Sequence, residues 1–108
     1  MKTSLLIVAL FIVCAGCSKI DRSAPGCIKE KIRHYNFLCK DAKVDEYIFQ
    51  NQFVFVFDGG TCVRDGDAPV YNQSCEELGA LGGITGNTKI QGVEFFSEAV
   101  FEKTIWKK

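Results

Sequence analysis

The sequence predicts a small α+β domain, in which an N-terminal helix packs on an antiparallel sheet of about four strands and two disulfides brace the fold. Three observations predict it: one short stretch with helical periodicity, two adjacent runs of aromatic and β-branched residues, and four cysteines downstream of a predicted export leader. Without the predicted leader at residues 1–16, 92 residues remain, which is enough for one such domain and too few for two.

The first 17 residues have the layout of an export signal. Lys2 supplies a positive start, Leu5–Val13 is an unbroken apolar run, and small residues precede Cys17. Cys14-Ala15-Gly16-Cys17 resembles a bacterial lipobox, in which the last cysteine is acylated, typically with palmitate. The alternatives are ordinary signal cleavage and a membrane-spanning helix, which needs about 20 apolar residues. We therefore expect a lipoprotein signal peptide at residues 1–16 and a lipid anchor at Cys17, which holds the chain on the periplasmic or cell-surface face of the outer membrane.

The mature chain is expected to begin with a lipidated tether and to continue into one domain. Residues 17–24 are polar and lack periodicity, which is typical of a tether, so the domain is assigned to residues 25–108. Pro25 suits the first turn of a helix. Apolar side chains then recur at positions 28, 32 and 35, which predicts one amphipathic helix over Pro25–Tyr35.

The next two elements form a predicted β-hairpin over Val44–Phe49 and Phe53–Phe57. The second run, Phe-Val-Phe-Val-Phe, has no polar face, and strands of this kind are usually buried on both sides. We therefore expect it in the middle of the sheet, covered by the helix on one face and by the C-terminal stretch on the other.

The remaining elements are short. Pro69–Tyr71 is predicted as a strand that starts at an edge or strand end, because proline cannot donate to a ladder. Cys75–Leu81 is predicted as the next strand, and the glycine-rich Gly79–Gly92 as an irregular loop. The C-terminal stretch suits one or two helical turns at Ser97–Phe101, with Ser97 as N-cap, and then a strand at Glu102–Trp106.

Four cysteines remain once Cys14 is removed with the leader and Cys17 is acylated. An even number in a small exported domain predicts disulfides, and the absence of a Cys-x-x-Cys pair among Cys27, Cys39, Cys62 and Cys75 argues against a metal site. Three pairings are possible. The favoured one joins Cys27 to Cys39 and Cys62 to Cys75, and the alternative, Cys39–Cys62 with Cys27–Cys75, would tie the ends of the sheet to the helix.

The sequence contains no pattern that indicates catalysis, a cofactor or a metal. With 13 basic and 13 acidic residues there is no overall field that would attract nucleic acid. Gly79–Lys89 lacks the lysine position of a phosphate-binding loop, and the aspartates at 58, 65 and 67 lack the spacing of a calcium loop. The single histidine, His34, has no nucleophile in a recognisable pattern. We expect no catalytic residue, no cofactor and no metal.

Aromatic residues are numerous, with nine phenylalanines, three tyrosines and one tryptophan. They either form the core or leave an exposed patch, which would mark a partner surface.

The order of motifs resembles a family of small, uncharacterised lipoproteins from Bacteroidota. The matching marks run through nearly all of the mature domain: Cys27-Ile28, Val44-x-x-Tyr47-x-Phe49, Phe55-Val56-Phe57-Asp58, Pro69-Val70-Tyr71, Cys75, Leu81-Gly82-Gly83-Ile84-x-Gly86-Asn87 and Thr104-Ile105-Trp106. The resemblance implies an envelope lipoprotein and brings no activity with it.

The expected function is a monomeric, non-enzymatic binding module of the cell envelope, attached to the membrane through its lipid, with an envelope protein or glycan as partner. One alternative is a peptidase inhibitor that presents the loop Thr61–Ser74 between Cys62 and Cys75. The other is a small hydrolase in which His34 or Asp58 lies beside a hydroxyl group.

Overall fold

A computed structural model of the protein describes residues 19–108. The predicted signal peptide and the predicted acylation site at Cys17 lie outside the described residues. The elements, in chain order, are α1 (Gly26–His34), β1 (Lys43–Phe49), β2 (Gln52–Asp58), β3 (Asp67–Asn72), β4 (Glu77–Gly82), β5 (Lys89–Ile90), β6 (Val93–Glu94), α2 (Phe95–Glu98) and β7 (Val100–Lys107). Neither of these two helices is long and apolar enough to cross a membrane.

The main sheet has five antiparallel strands in the order β4-β3-β2-β1-β7. The first four strands form a meander, and β7 returns to pair with the free side of β1. The sheet is therefore larger than the predicted four strands, because the C-terminal strand joins it rather than packing elsewhere. β5 and β6 form a separate two-stranded ribbon.

The predicted hairpin is confirmed. β1 and β2 pair from Lys43 with Asp58 to Phe49 with Gln52, which leaves Gln50 and Asn51 as the turn. Both turn residues have positive φ, 53° and 61°. Positive φ at both central positions belongs to the turn whose twist matches the right-handed twist of paired strands, so the turn fixes the register.

The prediction for the second strand is also confirmed, because β2 is the central strand and both of its faces are covered. One core lies between α1 and the sheet, and β2 contributes Phe55 and Phe57 to it. The other lies on the opposite face, where β2 contributes Val54 and Val56, the C-terminal stretch contributes Phe95, and Ile90 of β5 joins them. Alternation along the strand thus places aromatic side chains on one face and valines on the other.

The helix has nearly the predicted extent, but it is not the N-terminal element of the packed chain. Part of the predicted tether precedes it and contacts the domain: Ala24 is buried, and the Asp21 N–H donates to the Ile105 carbonyl at 2.8 Å. The carbonyl is available because the β1–β7 register skips Ile105, which forms a bulge on the edge strand. The packed part of the chain therefore includes residues before Pro25.

All four predicted cysteines form disulfides, but the favoured pairing is wrong. Cys27 pairs with Cys75 and Cys39 with Cys62. The antiparallel β1–β2 pair brings the residues before β1 beside those after β2, which is where Cys39 and Cys62 lie. The turn between β3 and β4 lies beside the beginning of α1, so Cys75 meets Cys27 instead of Cys62.

The C-terminal stretch has the predicted order of helix and strand with different boundaries. The short helix α2 begins at Phe95, two residues before the predicted N-cap Ser97, and its N-cap residue is Glu94. Burial explains the shift, since Phe95 is fully buried and contacts Tyr47 and Phe49 with ring centroids 5.0 Å apart in each case. β7 begins correspondingly early, at Val100.

Two predictions for the middle of the chain need correction. The glycine-rich Gly79–Gly92 is not all loop, because its first residues belong to β4 and it also contains β5. Pro69 is inside β3, opposite Ala80 of β4. It is tolerated there because the β2–β3 pairing ends one residue away, at Val70, so Pro69 lies at the end of that ladder.

Candidate functional site

An open groove of about 610 Å³ lies between α1, the segment that precedes it and the end of β7. We call it the basic groove. It is lined by Lys19, Ile20, Arg22, Lys29, Ile32, Arg33, Tyr35, Phe37, Trp106 and Lys108.

The amphipathic pattern of α1 supplies one wall of the groove. Ile28 and Ile32 are buried against the sheet. Lys29 and Arg33 follow them by one position, so they are neighbours on the adjacent flank, one turn apart. The same periodicity that buries the apolar stripe therefore places two cations on the rim.

Charge in the basic groove is of one sign. Five of the lining residues are basic, and none is acidic. Arg33 pairs with Glu30 at 3.0 Å. Within residues 19–108, the ammonium groups of Lys19 and Lys29 and the guanidinium of Arg22 form no ion pair. The rim therefore presents uncompensated positive charge, although the chain has equal numbers of basic and acidic residues.

The floor of the basic groove is aromatic. The ring centroids of Phe37 and Trp106 are 4.5 Å apart, and those of Phe37 and Tyr35 are 4.7 Å apart. Phe37 is buried and also stacks on Phe57 of the core at 6.0 Å, so the floor is continuous with the packed interior. A cationic rim over an apolar floor suits an anionic group that is attached to an apolar body.

The segment that carries Lys19 and Arg22 is fastened to β7 through Asp21. The Asp21 carboxylate accepts hydrogen bonds from the Ser23 N–H at 2.9 Å and the Ser23 hydroxyl at 2.6 Å, and Lys103 Nζ lies 3.2 Å away. These contacts hold the pKa of Asp21 at about 2, with the Ser23 hydroxyl as the largest cause. Together with the backbone bond to Ile105, they position the N-terminal wall of the groove.

The residues considered for catalysis are not assembled into a site. His34 is exposed, and its Nε2 lies 3.3 Å from Glu30 on the same helix. Asp58 accepts the Gly60 N–H at 2.9 Å, which is the contact of a turn aspartate. Within residues 19–108 neither of them is hydrogen-bonded to a hydroxyl group, and that part of the chain contains no cluster of three or more potential metal ligands.

The aromatic residues serve mainly as core. Among residues 19–108, five phenylalanines are buried and three are exposed: the buried ones are Phe37, Phe49, Phe55, Phe57 and Phe95, and the exposed ones are Phe53, Phe96 and Phe101. Phe101 is near the first residue of β7, and Trp106 is near the last. The exposed rings are therefore not part of the basic groove.

Sequence reasoning missed the basic groove because its residues are far apart in the chain. They extend from position 19 to position 108, and only the docking of the N-terminal segment on β7 brings them together. The one local signal was the pair Lys29 and Arg33, four residues apart on the polar flank of a predicted helix.

The fold and the groove define a small disulfide-braced α+β domain with a basic, aromatic-floored surface. Residues 30–108 match the family described as Domain of unknown function (DUF6970), and the chain belongs to that family. Comparison with curated proteins and with solved structures finds no match.

Proposed function

We propose that this chain is a lipid-anchored, non-enzymatic binding module of a bacterial cell envelope, from an organism of the Bacteroidota. In this proposal Cys17 is acylated in the outer membrane, and the basic groove binds the anionic headgroups of the lipids around the anchor. The observation that carries the proposal is the uncompensated positive charge of the groove, which includes the described residue nearest in sequence to Cys17.

Chain length supports this choice of ligand. Lys19 is two residues beyond Cys17, and an extended chain spans at most about 3.6 Å per residue, or about 7 Å in all. That distance is shorter than the screening length of about 10 Å at 0.1 M salt. If Cys17 is in the membrane, lipid phosphates are therefore the anions that the groove meets at the highest local concentration.

The composition of the groove suits a membrane surface. Each Lys or Arg close to an anionic surface contributes about 1 kcal/mol of binding free energy. Tryptophan favours the headgroup level, where one part of the ring is in an apolar environment and the indole N–H can still find a partner. Trp106, on the groove floor, is the only tryptophan in the chain, so its fluorescence reports on the groove.

The test for the groove uses the chain from Ser18 onward, which lacks the anchor and retains every described residue. We expect the Trp106 emission to shift to the blue with phosphatidylglycerol vesicles and to stay unchanged with phosphatidylcholine vesicles. Added salt should reverse the shift. An equal response to both kinds of vesicle, or no response to either, would contradict electrostatic docking.

Paired variants locate the binding surface. Arg22→Gln with Lys29→Gln should weaken vesicle binding about 30-fold, because each lost charge corresponds to about a five-fold change. The matched control is Lys40→Gln with Lys89→Gln, which removes the same charge from exposed positions outside the groove and should have a much smaller effect. Equal losses in the two pairs would mean that net charge matters and the groove does not.

The anchor needs a separate test, namely the intact mass of the protein isolated from its own membrane. The expected product begins at Cys17 and carries acyl groups. A product that retains Met1 or has an unmodified Cys17 would contradict the anchor, whatever the result with vesicles.

The two alternative functions gain no support from the contacts in the structure. The inhibitor hypothesis relied on a disulfide between Cys62 and Cys75, but each of these cysteines pairs elsewhere. The loop Thr61–Ser74 is therefore not closed on itself. The hydrolase hypothesis needed a hydroxyl group beside His34 or Asp58, and the described residues provide none.

A further inference from the structure

A second pocket, of about 390 Å³, lies beside the beginning of α1 and contains a carboxylate without a partner. We call it the Glu46 pocket. Its lining residues are Ser23, Pro25, Glu46, Phe53, Phe55, Gln73, Glu102 and Lys103.

Glu46 is in the middle of β1 and is only 7% exposed. Within residues 19–108 its carboxylate accepts no hydrogen bond and forms no ion pair. The strand register places Lys103 directly opposite Glu46, but the Lys103 ammonium is 3.2 Å from Asp21 instead. Lys103 therefore lines the pocket and acts on Glu46 through its charge, but it forms no ion pair with Glu46.

The neighbouring residue shows what a buried carboxylate normally requires. Asp45 is 6% exposed, accepts a hydrogen bond from the Thr104 hydroxyl at 2.6 Å and lies 3.3 Å from Lys43 Nζ. Buried carboxylates are costly unless they are paired and hydrogen-bonded, and nearly all buried polar groups have partners. Glu46 has no protein partner within residues 19–108, yet no unpartnered side-chain oxygen in that part of the chain is sealed from solvent. The Glu46 carboxylate therefore opens into the pocket that it lines, where a ligand can reach it.

The other walls indicate the chemistry of that ligand. Two phenylalanine rings, Phe53 and Phe55, line the pocket together with a second carboxylate, Glu102. An ammonium group is attracted by the face of an aromatic ring and forms charge-assisted hydrogen bonds with carboxylates. We propose that the Glu46 pocket binds a primary ammonium group on a short apolar stem, with Glu46 as its counter-ion. This proposal is independent of the function proposed for the basic groove.

The surroundings of Glu46 raise its pKa above the ordinary value of a glutamate. Burial raises the pKa of Glu46, nearby Glu102 and Asp21 raise it further, and Lys103 lowers it. A bound ammonium group would stabilise the ionised form and bring the pKa back down.

The test titrates the full chain, in micelles of a non-ionic detergent, with n-butylammonium chloride and follows the amide NMR signals. We expect saturable shifts at Glu46, Phe53, Phe55 and Gln73. The neutral analogue n-butanol should bind at least ten-fold more weakly, because it cannot form the charged hydrogen bond. Absence of a saturable shift, or equal binding of the two compounds, would overturn the proposal.

Two variants should change the affinity in opposite directions. Glu46→Gln keeps the shape of the side chain and should weaken n-butylammonium binding at least ten-fold. Lys103→Gln removes a competing cation and should tighten it, whereas the control Glu77→Gln, at an exposed position of β4, should leave it unchanged. Unaltered binding in Glu46→Gln, or weaker binding in Lys103→Gln, would overturn the proposal.

If Glu46→Gln does not fold, the wild-type chain still decides the question. Intermolecular NOEs between the butyl chain and the rings of Phe53 and Phe55 are expected on saturation. Their absence would place the amine elsewhere and contradict the site.

Discussion

The basic groove and the Glu46 pocket lie on either side of the same N-terminal segment, and their charges are opposite. The groove has five basic residues and no acidic one, whereas the pocket has two acidic residues, Glu46 and Glu102, and one basic residue, Lys103. Overall the chain has 13 basic and 13 acidic residues. The overall charge balance therefore does not show that the fold separates a basic region from an acidic one. Charges that are not paired within the protein are available to a ligand.

Asp21 maintains this separation. Its carboxylate lies 3.2 Å from the ammonium of Lys103, the residue opposite Glu46 in the strand register, and it fastens the segment that carries the groove residues Lys19 and Arg22. One surface contact thus leaves a carboxylate unpaired on one side and positions cations on the other.

The largest expected effect comes from the disulfide that holds the helical wall of the groove. Cys27–Cys75 closes a span of 48 residues and Cys39–Cys62 one of 23. Replacing Cys27 and Cys75 with serine should lower the free energy of unfolding by about 4 kcal/mol, and replacing Cys39 and Cys62 by about 3 kcal/mol. Urea unfolding measures both losses.

Vesicle binding by the basic groove should differ more between these two disulfide variants than their free energies of unfolding do. Only the first disulfide joins α1 to the sheet, so only its loss should weaken the response of Trp106 to anionic vesicles under conditions in which both variants are folded. An equally weak response from the Cys39 and Cys62 variant would mean that the groove depends on general stability and not on the position of α1.

The next effect distinguishes the two buried carboxylates. Asp45→Asn disturbs a charged hydrogen bond and an ion pair and should lower the free energy of unfolding at pH 7 by about 1–3 kcal/mol. Glu46→Gln removes an unpartnered charge and should change it by less than about 0.5 kcal/mol or increase it. A large loss in Glu46→Gln would reveal an internal partner for Glu46 and weaken the case for its pocket.

A smaller effect concerns pH. Because the folded-state pKa of Glu46 is raised above its ordinary value of 4.5, its protonation favours the folded state. The stability that the folded state gains from protonation of Glu46 is fully present below pH 4.5, and it is lost as pH rises through the folded-state pKa. The stability of the wild type relative to Glu46→Gln should therefore increase as pH is lowered into this range, as measured by thermal unfolding. A difference that does not vary with pH would contradict an unpaired Glu46.

The smallest effect is local to the N-terminal segment. The pKa of Asp21 is lowered from 3.8 to about 2. The ionised Asp21 carboxylate therefore stabilises the folded segment above pH 3.8, and this stabilisation is lost as pH falls through 2. Asp21→Asn should speed hydrogen exchange of the Asp21 and Ser23 amides at neutral pH, while the amides of β2 stay protected. Unchanged exchange in the segment would show that backbone contacts alone hold it.

The sequence predicted those parts of the fold that depend on local patterns. Helical spacing identified α1, and the all-apolar run at residues 53–57 identified the central strand with its two covers. The disulfide pairing could not be derived in this way, because it depends on which chain segments the sheet brings together. The same is true of the groove, which joins Lys19 to Lys108.

One part of the second site was visible in the sequence. In β1 the side chains at 44, 46 and 48 share a face, and Glu46 is the polar member between Val44 and Ile48. A carboxylate at such a position predicts either a partner for it inside the protein or a ligand-binding site. Choosing between them required knowledge of where Lys103 points, because the strand register alone suggests a Glu46–Lys103 pair.

Quenching of Trp106 in the native, membrane-attached protein offers the sharpest check on the proposed orientation of the groove. The protein is reconstituted into phosphatidylglycerol vesicles that contain a brominated lipid, which quenches only fluorophores in contact with the bilayer. We expect strong quenching of Trp106, reduced in the variant with Arg22→Gln and Lys29→Gln, because the groove then no longer binds the headgroups. Trp106 emission that is equally bright with and without the brominated lipid would show that the groove faces away from the membrane.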